Sequence, residues 1–292
     1  MCLLYSLWYL RRLFKIRLHV FHFDHRLRKG SADDAEYVRR LAKRLSVPFH
    51  LFVADERPRR GVSVEVWARE KRRLAASYVA RDVGASFIAT AHTQNDQAET
   101  VLIAVLAGSG LERVAGIWPV RGKYVRPMLD VTRADVETFC RSLRLHPRRD
   151  PTNRDTRFFR NALRIRGIPA LERAVRRELI APLARTGMIL REDAQELAER
   201  GEASASELIE AVPGGVRVAV DPLMSLPKAI AARVLSTAMV KCRVPPLREN
   251  VEALLGLARG RPGRRLDLGR GLKARREREY VSLSRTSPES RV

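Results

Sequence analysis

Apolar residues along the first half of the chain alternate between two rhythms. Leu3, Leu4, Leu7, Trp8 and Leu10 recur at helical spacing. Residues 18–23 form an apolar run that ends in Asp24 and His25, which predicts a strand. Val38, Leu41 and Leu45 predict a helix over 35–45, with a strand at 49–53 and a helix over 64–83. Residues 87–91 form the next predicted strand, and a helix is expected from Gln97. Strands alternating with helices of this length imply parallel βαβ units with right-handed crossovers.

The pattern changes further along. From 162 to about 210 the chain reads as charged helix without a clear strand, and Pro213-Gly214-Gly215 then breaks it. A strand at 216–220, a helix near 229–240 and short strands around 266–268 and 280–283 suggest a compact second unit. The expected division is a catalytic domain over 1–165, a helical linker over 166–210 and a small α+β domain over 211–292. No internal repeat is visible, and the polar end from Arg285 is expected to fray. The opening residues 1–14 have no basic stretch before their apolar run. That run is also far short of the ~20 residues of a membrane span, so a buried helix is expected.

Charge changes the picture more than length does. The 292 residues carry a formal net charge of +23, and 48 of the 56 basic residues are arginine. Such an excess points to a polyanionic partner, because guanidinium pairs with phosphate through two parallel hydrogen bonds. An arginine-rich genome would raise the count as well. Cys2, Cys140 and Cys242 form no CxxC pair, which argues against a disulfide framework, a zinc ribbon or an iron–sulfur cluster. A reduced cytoplasmic setting follows.

Candidate chemistry gathers at the two strand ends. HFDHRLR, residues 22–28, follows one strand. Its aspartate suits a metal or a ribose hydroxyl and its arginines suit phosphates, although a solvated loop explains it equally well. His92, Asp96 and Glu99 follow another strand, where open parallel sheets bind ligands. Asp96 and Glu99 share a helix face near an N-terminus, a place that favours carboxylates even without function. Ser31 with Asp33 and Asp34 reads as a helix N-cap. Residues 150–166 run from an Asp-Pro-Thr-Asn turn into arginines at 154, 157, 160, 164 and 166, either a phosphate clamp or a solvated helix. Arg69 and Arg72 lie mid-helix with the same two readings.

Taken in order, these segments resemble the tRNA(Ile)-lysidine synthetases of the N-type ATP pyrophosphatase (PP-loop) superfamily. HFDHRLR is similar to the family's HxDHxLR, and HTQNDQAET to HTxDDQxET. GSGLERVAGI is similar to GSGLxGLxGM, and Arg126-Pro127-Met128 to RPLL. Residues 150–164 are similar to DPTN…RNxxR, and GRRLDLGRGLKARRE to the end of the family's small domain. The resemblance implies an α/β fold: a parallel-sheet, adenine nucleotide alpha hydrolase-like PP-loop domain, then a helical linker and a small α+β domain that binds tRNA or substrate. It implies ATP and Mg2+ as cofactors, and tRNA(Ile) with a CAU anticodon and free L-lysine as partners. ATP would adenylate the carbonyl oxygen on carbon 2 of the wobble cytidine, releasing pyrophosphate, and lysine would displace AMP to give lysidine. By the same resemblance His92, Asp96 and Glu99 are the catalytic candidates, the two acids handling lysine or metal. Asp24, His25 and Arg28 would line the nucleotide side, and Arg126, Arg160 and Arg164 would hold phosphate or tRNA. Members often form homodimers. Alanine at Asp96 is expected to abolish lysidine formation without unfolding the protein.

The chain also departs from the family pattern. The strand and SGGxDS loop that grip pyrophosphate have no counterpart, since Met1-Cys2-Leu3-Leu4 matches the helix after that loop. The sheet is then expected to lack its first strand, an inner one, leaving unpaired edges and impairing ATP binding. A start assigned at an internal methionine is the expected cause, a decayed gene the alternative. Asn95 replaces an aspartate, Ala104 and Ala107 replace arginines, and Arg73 replaces a tyrosine. Arg113 stands where glycine is usual and would be strained at positive φ. Two rival readings remain: a PP-loop tRNA thiolase, which usually carries paired cysteines, and an inactive RNA-binding relic.

Overall fold

The computed structural model describes residues 1–27, 30–59, 61–148 and 151–285. Arg28 and Asp150, both singled out from the sequence, lie outside the described residues, as does the tail from 286. The chain divides into two compact units, Met1–Leu190 and Arg191–Val292. That division falls inside the stretch expected to be a linker.

The first unit begins with α1 (Cys2–Leu10), β1 (Val20–Asp24), α2 (Ser31–Arg44), β2 (Phe49–Val53) and α3 (Val64–Asp82). There follow β3 (Ile88–Ala89), α4 (Gln94–Leu106), α5 (Leu111–Val114), β4 (Val120–Arg121), β5 (Tyr124–Val125) and α6 (Arg133–Ser142). After a 3-10 turn at Pro151–Arg154 come α7 (Phe159–Ala162), a π-helical turn (Leu163–Gly167), α8 (Ile168–Val175) and the start of α9 (Ile180–Leu208). The sheet lies in two pieces. β1 pairs β2 in parallel, while β3 pairs β5 in parallel and β5 pairs β4 antiparallel. Among the described residues β1 has no second partner and neither has β3, yet α3 packs against both strands.

Alternating βαβ order is as predicted, but element ends differ for local reasons. α2 starts at Ser31, and its N-cap is Gly30 at φ 86 rather than Ser31. α4 starts three residues ahead of the expected Gln97 because Thr93 and Asp96 form a reciprocal capping box. Thr132 and Asp135 do the same for α6. α1 is buried through Cys2 and Tyr5 only, and Tyr9, Leu10, Leu13 and Phe14 at its far end are exposed. The expected buried helix is therefore buried on one side. Arg113 lies within α5 and is not among the residues with positive φ, so the feared strain is absent; Gly116 takes φ +75 instead.

The second unit contains the rest of α9, then β6 (Ile209–Val212), β7 (Gly215–Ala219), α10 (Val220–Ser225), α11 (Lys228–Lys241) and α12 (Arg248–Ala258). It ends with β8 (Arg265–Asp267), β9 (Leu272–Arg276) and β10 (Tyr280–Arg285). Its five strands form one antiparallel sheet in the order β6-β7-β10-β9-β8. Period-two alternation turns Val216, Val218, Leu272, Ala274, Val281 and Leu283 to one face. There they pack with Val234, Leu235 and Ala238 of α11 and Leu254 and Leu255 of α12 in the largest core of the protein.

Candidate active site

His92, Thr93, Asp96 and Glu99 leave the carboxyl end of β3 and enter the first turns of α4. The Asp96 Oδ2 atom accepts from the Thr93 backbone N–H at 2.9 Å and from its hydroxyl at 2.8 Å. Burial alone would raise this carboxyl. The Thr93 hydrogen bonds, with the charges of Arg160 and Arg133, outweigh burial and hold it below the usual aspartate range. Asp96 therefore stays ionised and caps its own helix.

Glu99 is one turn further on and only 1% exposed. An ionised carboxylate at that depth needs cations, and two arrive from a segment about sixty residues later. Arg160 donates from Nε to Oε2 at 2.9 Å. Arg164 grips both oxygens, Nε to Oε1 at 2.6 Å and Nη2 to Oε2 at 2.7 Å. Arg160 and Arg164 are four apart across α7 and the π-helical turn, so both point to one side. The Glu99 hydrogen bonds raise the Arg164 pKa further. The same two guanidiniums reach the other Asp96 oxygen, Oδ1, at only 3.6 and 3.5 Å. The Arg164 contact is a long hydrogen bond and the Asp96 side chain is 19% exposed, so Oδ1 is the less tightly held of its two oxygens.

His92 sits beside this pair. Its Nδ1 lies 2.9 Å from the Thr90 hydroxyl. Burial is the main cause that lowers its pKa to about 4; Asp96 opposes the shift, and Arg126, Arg69 and Arg160 add to it. At neutral pH the ring is uncharged. Folded, it takes up its proton near pH 4; unfolded, near 6.5. The stability this neutral ring contributes is therefore complete above about pH 6.5 and is lost as pH falls toward 4. His92→Gln is expected to flatten the fall in melting temperature across that window relative to the unaltered chain. Parallel melting curves would remove the buried neutral histidine from the account.

Arg126 holds the β4–β5 hairpin by donating from Nη1 to the Trp118 carbonyl at 2.7 Å. Its pKa is lowered by burial first and then by Arg69, Arg121 and Arg73, and its Nε is buried without a hydrogen-bond partner among the described residues. An unpartnered guanidinium N–H among further arginines suits an oxyanion. Arg69, noted from the sequence, thus joins this group. Arg73 and Arg121 did not stand out as site residues; their only signal was excess charge on a helix and a hairpin.

Asp24 is buried at the end of β1, where Oδ1 accepts from the Arg26 backbone N–H at 2.9 Å. His25 packs edge-on against Phe23 with ring centroids 4.7 Å apart, and also lies near Trp67. Among the expected residues, then, Asp96, Glu99, Arg160 and Arg164 touch, with His92 and Arg126 in their field. Asp24 and His25 belong to a different strand end. Asn95, flagged as a departure, accepts from the Arg133 N–H at 2.8 Å and ties α4 to the start of α6.

The PP-loop domain family matches residues 1–171, more than half of the chain. The chain belongs to that family. Among its relatives is the tRNA(Ile)-lysidine synthase of Caldanaerobacter subterraneus subsp. tengcongensis, 35% identical over 80% of this chain and 51% of that protein. Those of Symbiobacterium thermophilum and Thermus thermophilus are 36% and 38% identical over 82% and 83% of this chain, and 52% and 48% of theirs. The chain spans about half the length of these curated relatives. A solved U34-tRNA thiolase, NcsA from Methanococcus maripaludis, with its [4Fe-4S] cluster, aligns with TM-score 0.51 at 13% identity, over 65% of this chain and 68% of that one. That likeness supports the parallel-sheet PP-loop fold and nothing finer. Among the described residues no helix is long and apolar enough to cross a membrane.

Proposed function

We propose that this PP-loop unit ligates lysine to carbon 2 of the wobble cytidine in a CAU-anticodon tRNA(Ile), using ATP. The observation that carries the reading is an ionised Asp96 with one oxygen only loosely held, beside a neutral His92 that also feels the charge of Arg126. The C2 carbonyl oxygen of the base attacks the α-phosphorus of ATP and pyrophosphate leaves. The lysine ε-amine then attacks carbon 2 and AMP leaves. Arg126, with Arg69, Arg73 and Arg121 around it, supplies fixed positive charge for phosphate oxygens. Asp96 Oδ1 receives the lysine ammonium, uncharged His92 adds no repulsion to it, and the proton the amine must lose passes to solvent.

Glu99 has a different part in this reading. Both of its oxygens are taken by guanidinium, so it fixes Arg160 and Arg164 rather than meeting lysine. The Asp96–Glu99 pair does not fit a magnesium ion, because two arginines already neutralise it and a hard cation needs several free oxygens. The thiolase reading gains nothing from the cysteines. Burial pushes the Cys2 thiol up, it packs with Cys140 in an apolar cluster, and Cys242 lies buried in the other unit.

Incubating the chain with ATP, labelled lysine and a CAU-anticodon tRNA(Ile) transcript tests the proposal. Label retained on that transcript, with AMP and pyrophosphate released in step, is the expected result; a GAU-anticodon transcript should stay unlabelled. Adenylation without lysine transfer, or sulfur transfer in its place, would overturn it.

A further inference from the structure

Two residues before His92, Thr90 carries the β3–β5 pairing one step further. Its backbone N–H donates to the Val125 carbonyl at 3.0 Å, as the Ile88 N–H does to the Lys123 carbonyl at 2.7 Å. Thr90 is thus fixed to the sheet just before the chain leaves it for α4. Its side chain is β-branched, so the hydroxyl has few directions open to it. That hydroxyl lies 2.9 Å from His92 Nδ1, its one hydrogen-bond partner among the described residues.

A hydroxyl and an imidazole nitrogen can share this bond in two ways. Either Nδ1–H donates to the Thr90 oxygen, and the hydroxyl proton is left without an acceptor among the described residues, or the hydroxyl donates to a bare Nδ1. Thr90 is half-buried, and enclosed donors are left unpaired less often than enclosed acceptors, which favours the second arrangement. In an uncharged ring the remaining proton then sits on Nε2. We propose that Thr90 is a positioning residue that fixes the His92 proton on Nε2, making that nitrogen a hydrogen-bond donor to a phosphoryl oxygen of the substrate. The surroundings suit such an acceptor. The charges of Arg126, Arg69 and Arg160 all act on the ring and would stabilise an anionic oxygen beside it. Asp96 acts in the opposite sense, with its Oδ2 atom already bound to Thr93. The inference rests on the adenylating reaction proposed above. Its α-phosphoryl group is present in both steps, first as pyrophosphate leaves and then as AMP leaves. An Nε2–H donor can hold one of its oxygens throughout without giving up a proton.

Proton–nitrogen correlation spectra of the chain, nitrogen-labelled at its six histidines, read the tautomer directly. His92 is assigned by the signals missing from His92→Gln. At neutral pH its Nδ1 is expected to resonate as a bare nitrogen and its Nε2 as a protonated one. Thr90→Val keeps the shape of the side chain without the hydroxyl and should give a mixture of both tautomers; Thr90→Ser should restore the single form. With a CAU-anticodon tRNA(Ile) transcript, Thr90→Val should lower kcat for pyrophosphate release about three- to tenfold, the loss of one hydrogen bond felt in the transition state. The ATP KM should stay unchanged, and Thr90→Ser should recover most of the rate. A ring protonated on Nδ1 in the unaltered chain, or a Thr90→Val spectrum that keeps the single Nε2–H form, would overturn the assignment. Equal rate losses in Thr90→Val and Thr90→Ser would do the same, since the hydroxyl would then not be the group that matters. If the unaltered chain releases no pyrophosphate, the proposed function falls, and the spectra by themselves decide for or against Thr90.

Discussion

Glu99→Gln is expected to cost about 3–5 kcal/mol of stability, whereas Asp96→Asn should leave stability nearly intact and remove lysine transfer. The contrast follows from where the two carboxylates sit. Glu99 is the counter-charge for Arg160 and Arg164 and is almost fully enclosed. Gln keeps its shape but deletes its charge, leaving two guanidiniums facing an amide. Breaking a buried pair from one side costs about this much, because the surviving charge is stranded. Asp96→Asn keeps an oxygen that can accept from Thr93, so the helix cap largely survives. It does remove the carboxylate charge proposed to meet the ammonium, and losing such a group costs roughly a hundredfold to ten-thousandfold in rate. Urea unfolding and lysine transfer, measured on both variants, separate the two roles. Equal stability loss in both, or lysine transfer by Asp96→Asn near the unaltered rate, would refute the division. Alanine at Asp96, the simpler choice from sequence, would lose the cap as well and confuse the readouts.

The site was partly legible in the chain. Strand followed by His92, Asp96 and Glu99 follows from local patterning, and its position at a sheet's carboxyl end follows from the βαβ order. The pairing of Glu99 with Arg160 and Arg164 could not be read that way, since no periodicity links residues sixty apart. Thr93 had a readable signal, a Thr three residues before an Asp, but it passed as polar loop, which is why α4 was expected to start late. β3, expected over 87–91, is only Ile88–Ala89, and β4 and β5, two residues each, are too short for an alternation to declare itself. They exist because Ile88 and Ala89 find Tyr124 and Val125 across the sheet. β9 was missed because its sequence, LKARR, carries only two apolar residues. Its inward Arg276 is stabilised by donating to the Ala258 carbonyl at the end of α12, a partner invisible in one dimension.

Gln97 is the other residue whose importance appears only in three dimensions. It lies on the inward side of α4, 2% exposed, and spans to the loop after α5. Its Nε2 donates to the Ala115 carbonyl at 3.1 Å, and its Oε1 accepts from the Ile117 N–H at 2.6 Å. Gln97→Leu keeps the bulk but strands a backbone donor and acceptor, each costing about 1–3 kcal/mol. A loss of roughly 2–6 kcal/mol in urea unfolding is expected on that basis. Gly187 on α9 is the matching half of the fit. A Cβ there would lie 2.5 Å from Gln97 Nε2 and 2.6 Å from Val101 Cγ2. Gly187→Ala would gain about 1 kcal/mol of helix propensity in open space. Against Gln97 it should destabilise instead. Combining Gly187→Ala with Gln97→Ala removes the amide that the new methyl strikes, so the double variant should be at least about 1 kcal/mol more stable than the sum of the singles predicts. Strict additivity would mean that α9 shifts freely over α4. The close approach would then have no part in holding the helix that presents His92, Asp96 and Glu99.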